Sequence, residues 1–370
     1  MKIAVITLHT IKNYGSVLQT LATQELFERF GFEVEVINYI REASLKKNLL
    51  TNWCGKNPIK RIVMLPTIRR WDTVFNQFLN KYIHMTDKIY TYDEDFRQYP
   101  INADLYCTGS DQVWNTGWNE GIIKPLYLSF IPKDKFKFSY SSSFGKEELT
   151  SEEVLATKPY FEEYNYISVR EDYAKKMIER YYNLNSVHVV DPTLAFDGDY
   201  WRKYKVKNKL KGNYILIYNL NRSKDFDDYA LELSKRMQLP LVRLCTRYDQ
   251  IFRAGKSILV PEVFEFITLI DDAKCVITDS FHATAFSLNL NTEPICVYPE
   301  KYSGRLNSIL QITDCLHRHV TNYSDFDIIN RPIDFISVNK KLAYQREKIH
   351  NYLQKVIDGY HLYIKDNDSN

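Results

Sequence analysis

Glycine is scarce in this chain, with 12 in 370 residues. No two glycines stand at i and i+2 or at i and i+5, so neither G-x-G-x-x-G nor the Walker A phosphate loop can be written. H-E-x-x-H and G-x-S-x-G are also missing, which removes zincin and hydrolase-elbow chemistry. The six cysteines (54, 107, 245, 275, 296 and 315) stand singly with no C-x-x-C. A chain of this length does not need disulfide staples, so reduced and mostly buried thiols are expected. Charge of one sign is not in excess: 49 Lys and Arg face 46 Asp and Glu, leaving +3. That balance gives no whole-molecule field for nucleic acid or anionic lipid, so any handling of anions is local. The only early apolar run, Ile3 to Leu8, is too short to span a membrane and lacks a signal-cleavage pattern. No transmembrane segment and a cytoplasmic location are expected.

What is present is an alternation of strands and helices at a length suited to two domains of about 150 residues each. Lys2-Ile-Ala-Val-Ile-Thr-Leu8 reads as a buried parallel strand. Apolar residues then recur with helical period from Val17 to Phe30 and stop at Gly31. Val34 to Tyr39 supplies the next strand, completing a βαβ start. Residues 41 to 100 read as an irregular helical insertion. Strands are expected again at 103–108, 137–141, 166–169 and 187–190, with a helix over 171–181. The expected organisation is an N-terminal Rossmann-like domain over 1–196, a polar, lysine-rich connection over 197–212 and a C-terminal Rossmann-like domain over 213–338. A C-terminal helix (339–364) and a frayed tail (365–370) follow. The predicted fold class is α/β, with two Rossmann-like domains facing across a cleft.

In open α/β sheets ligands bind beyond the carboxyl ends of strands. The residues at those ends are Asn13, Gly15 and Ser16 after the first strand, and Ser110, Asp111 and Asn115 after the third. Arg170 follows the strand ending at Val169, and Ser280 and His282 follow the strand ending at Thr278. Each also has a plain structural use. Asn13 and Ser16 can cap a helix, Asp111 can shape a turn, Arg170 can pair with Glu171 on a surface, and His282 can be a satisfied core histidine. Asp93-Glu-Asp95 has the D-x-D form but precedes a strand, which favours a solvated loop. Cys315, His317 and His319 alternate as on one strand face, yet lack a fourth ligand nearby.

Six blocks taken together resemble the polysaccharide pyruvyl transferase family: Thr7-Leu-His-x-x-x-Asn13-Tyr-Gly-Ser-Val-Leu-Gln19, Thr108-Gly-Ser-Asp-Gln-Val-Trp-Asn115, Ser139-Tyr-Ser-Ser-Ser-Phe-Gly145, Ile167-Ser-Val-Arg-Glu171, Val190-Asp-Pro-Thr-Leu194 and Thr278-Asp-Ser-Phe-His-Ala-Thr284. They occur in the family's order across roughly residues 2 to 320. The resemblance implies a GT-B-like fold and transfer of a pyruvyl unit from phosphoenolpyruvate to two hydroxyls of a sugar, forming a cyclic ketal in surface polysaccharide synthesis. It implies no metal and no cofactor. His282 and Arg170 are then the expected catalytic residues, an imidazole for proton transfer and a guanidinium for the donor's oxyanions. Arg305, in Ser303-Gly-Arg-Leu-Asn-Ser-Ile-Leu310, and Lys301 are further cations for the donor. Asn13, Gly15, Ser16, Ser110, Asp111, Asn115 and Ser280 are expected to bind sugar or donor. Some family members carry arginine where this chain has Ser280, so a donor cation is missing there. The implied partners are phosphoenolpyruvate and a sugar or glycan-intermediate acceptor, with peripheral contact to a lipid-linked acceptor. Two other readings stay open: a GT-B glycosyltransferase with a sugar-nucleotide donor, and a non-catalytic glycan-binding relative.

Overall fold

Strands buried on both faces read as unbroken apolar runs, and several such runs, with more exposed edge strands beside them, order the described residues into parallel sheets. The structure, a computed structural model, describes residues 1–210, 212–221, 223–299 and 303–368. The first sheet contains β1 (Lys2–Ile6), β2 (Glu33–Val36), β3 (Leu105–Thr108) and β4 (Phe136–Ser139) in the order β2-β1-β3-β4. All its pairs are parallel, with Ile3 opposite Leu105 and Ile6 opposite Thr108. Single bridges from Phe138 to Tyr166 and from Ser142 to Val169 extend it to a two-stranded ribbon, β5 (Ser168–Val169) and β6 (Val187–His188). The second sheet contains β7 (Ile215–Tyr218), β8 (Leu241–Cys245), β9 (Lys256–Leu259), β10 (Cys275–Thr278) and β11 (Glu293–Cys296). Its order, β11-β10-β7-β8-β9, is the doubly wound Rossmann arrangement.

Both sheets reverse direction beside their first strand, between β1 and β3 in one and between β7 and β10 in the other. Those switch points place the loops after β1, β3, β7 and β10 at the mouths where such sheets take ligands. Two helices start there: Tyr14–Arg29, capped by the Asn13 side chain, and Phe281–Asn289, capped by Ser280. The long helix Phe335–Asp368 runs back over the first sheet. Tyr352 Oη donates to the Ser139 carbonyl at 2.7 Å and the Tyr360 ring meets Phe136 edge-on. Gly359 is required where this helix passes Tyr166, because a Cβ there would lie 2.2 Å from the phenol oxygen.

Several sequence expectations are corrected. The polar connection expected over 197–212 contains a helix, Gly198–Arg202, whose Trp201 is fully buried and donates its indole N–H to the Thr193 carbonyl at 2.8 Å. Lysine-rich composition hid two aromatic anchors, Tyr200 and Trp201, that stack into the core. The expected strand face for Cys315, His317 and His319 is instead a 3-10 turn, Leu316–Arg318, which breaks the alternation. No group of His, Cys, Asp and Glu able to hold a metal is found among the described residues. Asp93 and Asp95 open the helix Asp93–Gln98, where the Asp95 carboxylate accepts from the Thr91 and Tyr92 amides. The terminal helix continues through Asp368, past the point where fraying was expected, and 369–370 lie outside the described residues. The six cysteines are all free and buried. No described helix is long and apolar enough to cross a membrane.

Two buried histidines give stability a pH dependence. Burial pushes His9 and His188 down from 6.5 to about 4 despite carbonyl contacts to Thr7 and Arg170. The folded state therefore resists protonation that the unfolded chain accepts. Stability is whole above pH 6.5 and falls as the pH drops toward 4, by about 3 kcal/mol per histidine. Thermal melting across that window should show the decline, and His188→Gln should flatten it; an unchanged slope in the variant would remove His188 from the account.

Candidate functional site

The four switch-point loops enclose a cleft of about 650 Å³ between the two sheets. Asn13, Ser16 and Asp111 line it from the first lobe, and Asn221, His282 and Arg305 from the second. Four helices begin at this space: Tyr14–Arg29, Lys224–Met237, Phe281–Asn289 and Gly304–Ile312. Free amides and macrodipoles at helix starts favour an anion.

His282 occupies the second helical position of Phe281–Asn289 and is 6% exposed. Its ring lies against Gly15 of the opposite lobe, where an added Cβ would stand 2.1 Å from Cγ and Nδ1. Glycine is needed here so that the two lobes close. The imidazole Nε2 faces the Asp191 carboxylate at 3.5 Å, an ion-pair distance slightly beyond a good hydrogen bond. Asp191 follows β6 and is wholly buried. It accepts from the Thr193 amide and hydroxyl on one oxygen and from Arg170 Nη1 on the other, at 3.0 Å. Burial alone would raise the Asp191 carboxyl, but the charge and contact of His282, then Arg170 and the Thr193 amide, hold it well below the usual range.

Arg170 is 2% exposed and faces inward. Its Nε donates to Glu171 at 2.9 Å, Nη1 to Asp191 at 3.0 Å, and Asp111 stands at 3.8 Å. Burial opposes its charge, but Glu171, Asp191 and Asp111 outweigh that and raise it above the ordinary value. Glu171 is in turn gripped by the Ser143 hydroxyl, at 2.9 and 2.8 Å to its two oxygens. The guanidinium also lies 4.7 Å from the centroid of the Phe281 ring, touching the second lobe through a cation–π contact. Arg170 and His282 therefore meet as expected, but through Asp191, and Arg170 stands behind the cleft wall instead of in it.

The other predicted residues divide. Asn13 caps its helix, accepting from the Gly15 amide at 2.9 Å, and also lines the cleft. Ser16 donates to Asp111 at 2.8 Å. Asp111 holds φ at +69°, a strained backbone that turns its carboxylate toward the cleft. Burial would raise that carboxyl, yet Arg170, His282 and Arg305 lower it. Ser280 lines the cleft while capping. Ser110 and Asn115 are fully buried away from it: Ser110 donates to the Ser141 carbonyl and Asn115 to the Gln112 side chain. Lys301 lies outside the described residues. Arg305 lines the cleft and its Nε is buried without a hydrogen-bond partner. Burial, then Arg170, push it below its ordinary value.

Sequence reasoning missed Asp191 and Asp279. Asp191 caps the turn Pro192–Leu194 shortly after β6, its carboxylate accepting from Thr193, and an Asp-Pro-Thr turn behind a strand was its signal. Asp279 fastens the loops after β7 and β10, accepting from the Leu220 and Asn221 amides at 2.7 and 2.9 Å. Burial raises its carboxyl, with those hydrogen bonds opposing.

The fold is similar to solved sugar-nucleotide enzymes. A UDP-N-acetylglucosamine 2-epimerase from Rickettsia bellii matches with TM-score 0.53 and 11% identity over 97% of each chain. A UDP-GlcNAc 2-epimerase from Methanocaldococcus jannaschii, in complex with UDP-GlcNAc and UDP, matches with TM-score 0.51 and 12% identity over 96% of this chain and 100% of that one. An α-glucosyltransferase in complex with UDP and a 13-mer DNA matches with TM-score 0.52 and 9% identity over 98% and 99%. The two facing Rossmann-like lobes are thus of the GT-B-like kind. No protein of curated function matches the sequence. These likenesses correct the expectation of phosphoenolpyruvate as donor partner and of a ketal-forming pyruvyl transfer as this chain's activity. The physical reason is in the site: the guanidinium assigned to that donor is already engaged by two carboxylates.

Removing Arg170 leaves Glu171 buried without a cation and Asp191 with His282 alone to face its charge, so Arg170→Ala is expected to cost about 3–5 kcal/mol in urea unfolding, whereas Arg305→Ala costs about 1 kcal/mol or less. Equal costs would contradict the division between a buried tie and a free cation. Gly15→Ala should drive the His282 ring from its seat, lowering stability by about 1–3 kcal/mol and moving the His282 ring resonances in NMR spectra. An unmoved resonance would refute the close approach. The model of the polysaccharide pyruvyl transferase family matches residues 13–301, the span holding Gly15, Arg170, Asp191 and His282, and the chain is a member of that family.

Proposed function

We propose that this chain is an enzyme of nucleoside-diphosphate sugars that transfers the sugar to a hydroxyl acceptor across the interlobe cleft. The observation that carries the reading is the His282–Asp191 pair, contributed by opposite lobes and set beside the helix starts that meet at the cleft. The diphosphate would lie at the starts of Phe281–Asn289 and Gly304–Ile312, with Arg305 as its free cation. Phe226 and Tyr323 in the second-lobe wall offer apolar surface for the base. The fold likeness to enzymes solved with UDP supports the donor class.

Asp191 beside Nε2 favours the tautomer that carries its proton there and leaves Nδ1 to accept one. In the proposed step the acceptor oxygen forms its bond to the anomeric carbon as the bond to the diphosphate oxygen breaks. The hydroxyl proton goes to Nδ1, and Asp191 stabilises the resulting imidazolium. The nucleoside diphosphate leaves as an anion held by the helix starts. Asp191 itself never meets substrate, so it acts by positioning His282. Nucleotide sugars and free thiols suit a cytoplasmic setting.

The test begins with binding. UDP at a hundredfold excess over its dissociation constant should stabilise the fold by about 2.7 kcal/mol, read as a raised Tm, while phosphoenolpyruvate leaves the Tm unmoved. His282→Ala should keep the UDP shift and lose the release of UDP from a UDP-sugar. Asp191→Asn should retain donor KM, lower kcat and alter the pH profile. A Tm raised by phosphoenolpyruvate and by no nucleoside diphosphate would sink the reading.

A further inference from the structure

The helical insertion carries a surface that the cleft does not explain. In Pro58–Trp71 the residues Met64, Thr67, Ile68 and Trp71 form a buried stripe at helical spacing. The opposite stripe, Ile59, Ile62, Val63 and Pro66, has the same spacing and is exposed, with Ile59 at 73% and Ile62 at 68%. A helix that is apolar on two faces while covered on one has a face awaiting a partner. The covered side of the helix is flanked by two further exposed rings: Trp53, tilted against the buried Trp71 at 5.1 Å, and Phe252, in the turn Tyr248–Phe252 whose Tyr248 amide donates to Thr67. There Phe252 is 93% exposed.

Charge identifies the partner. Between Glu42 and Asp72 the chain has seven Lys or Arg and no carboxylate, although the whole molecule is almost neutral. Lys46 and Arg70 are paired with Asp72 and Glu262, while Lys47, Lys56, Lys60 and Arg69 are exposed around the apolar stripe. Apolar side chains ringed by cations match the boundary of an anionic bilayer, where rings and branched chains enter the headgroup layer and ammonium groups meet lipid phosphates. A nucleic acid would use the cations and leave the exposed Ile59, Ile62 and Phe252 in water. The segment also abuts the cleft: Asn76, in the π-helical turn that follows, accepts a hydrogen bond from Lys12, beside the cleft residues Ile11 and Asn13.

From this we infer that the exposed stripe of Ile59, Ile62 and Val63, together with the exposed rings of Trp53 and Phe252 beside the same helix, docks the protein on anionic membrane, with the cleft mouth alongside. The inference stands apart from the donor assignment, because lipid binding is measured without turnover and without nucleotide.

The experiment is flotation of the full chain with phosphatidylcholine vesicles, with and without about a third of phosphatidylglycerol. Binding is expected only to the anionic vesicles, and raising salt from about 0.1 to about 0.5 M should weaken it at least about tenfold. Ile62→Asp combined with Phe252→Asp should abolish it, and Lys47→Glu combined with Lys60→Glu should weaken it, both with unchanged Tm because the sites are exposed. Equal binding to neutral vesicles, or binding that survives the Ile62→Asp and Phe252→Asp pair, overturns the proposal. So does a dimer in gel filtration that the same pair dissolves, since the face would then belong to a second copy.

Discussion

Asp191 lies between two groups that come from different lobes, the guanidinium of Arg170 and the imidazole of His282. A carboxylate sealed from water is tolerable only when its charge is answered and its remaining lone pairs are bonded. Thr193 supplies those bonds, and Arg170 answers the charge from within the first lobe. The third contact, to His282, is the one that crosses the gap. The same interaction thus fixes the His282 ring in place and, with the Gly15 contact, sets how closely the lobes approach.

Around it the polar groups form layers. Ser143 holds Glu171, Glu171 holds Arg170, and Arg170 holds Asp191, each link buried and hydrogen-bonded. Ser141 and Ser142 fasten neighbouring strand ends through backbone carbonyls. A chain of hydrogen-bonded groups in a low-dielectric interior is rigid, because loosening one member strands the next. Left-handed backbone occurs here at Ser141 and at Asp111, which lines the cleft and is held by the Ser16 hydroxyl.

Much of the scaffold was legible because parallel strands buried on both faces leave an unmistakable apolar record, as in Ile215–Tyr218 and Cys275–Thr278. The edge strand Lys256–Leu259 was not, since it is only half-buried and shows no run of that kind. Trp201 was lost in a lysine-rich stretch whose average composition concealed its individual contacts. In the site, His282 and Arg170 were legible from residue type and strand-end position. Their roles were not, because position along a chain does not say whether a guanidinium points at solvent or at Glu171. Ser110 and Asn115 sit at equally suggestive positions and turn out to be internal ties.

The distribution of charge in the cleft also bears on what can occupy it. Asp111 and Asp279 reach its wall, and among the predicted cations within the described residues Arg305 alone lines it. A small ligand with its charges crowded together would bring several negative groups close to those carboxylates with one guanidinium to offset them. A longer ligand can divide itself. Its charged middle can lie at the helix starts and Arg305, while neutral hydroxyls meet the aspartates, which are good acceptors for them. A cleft of about 650 Å³ accommodates such an extended molecule, and the imidazole then sits at the neutral end.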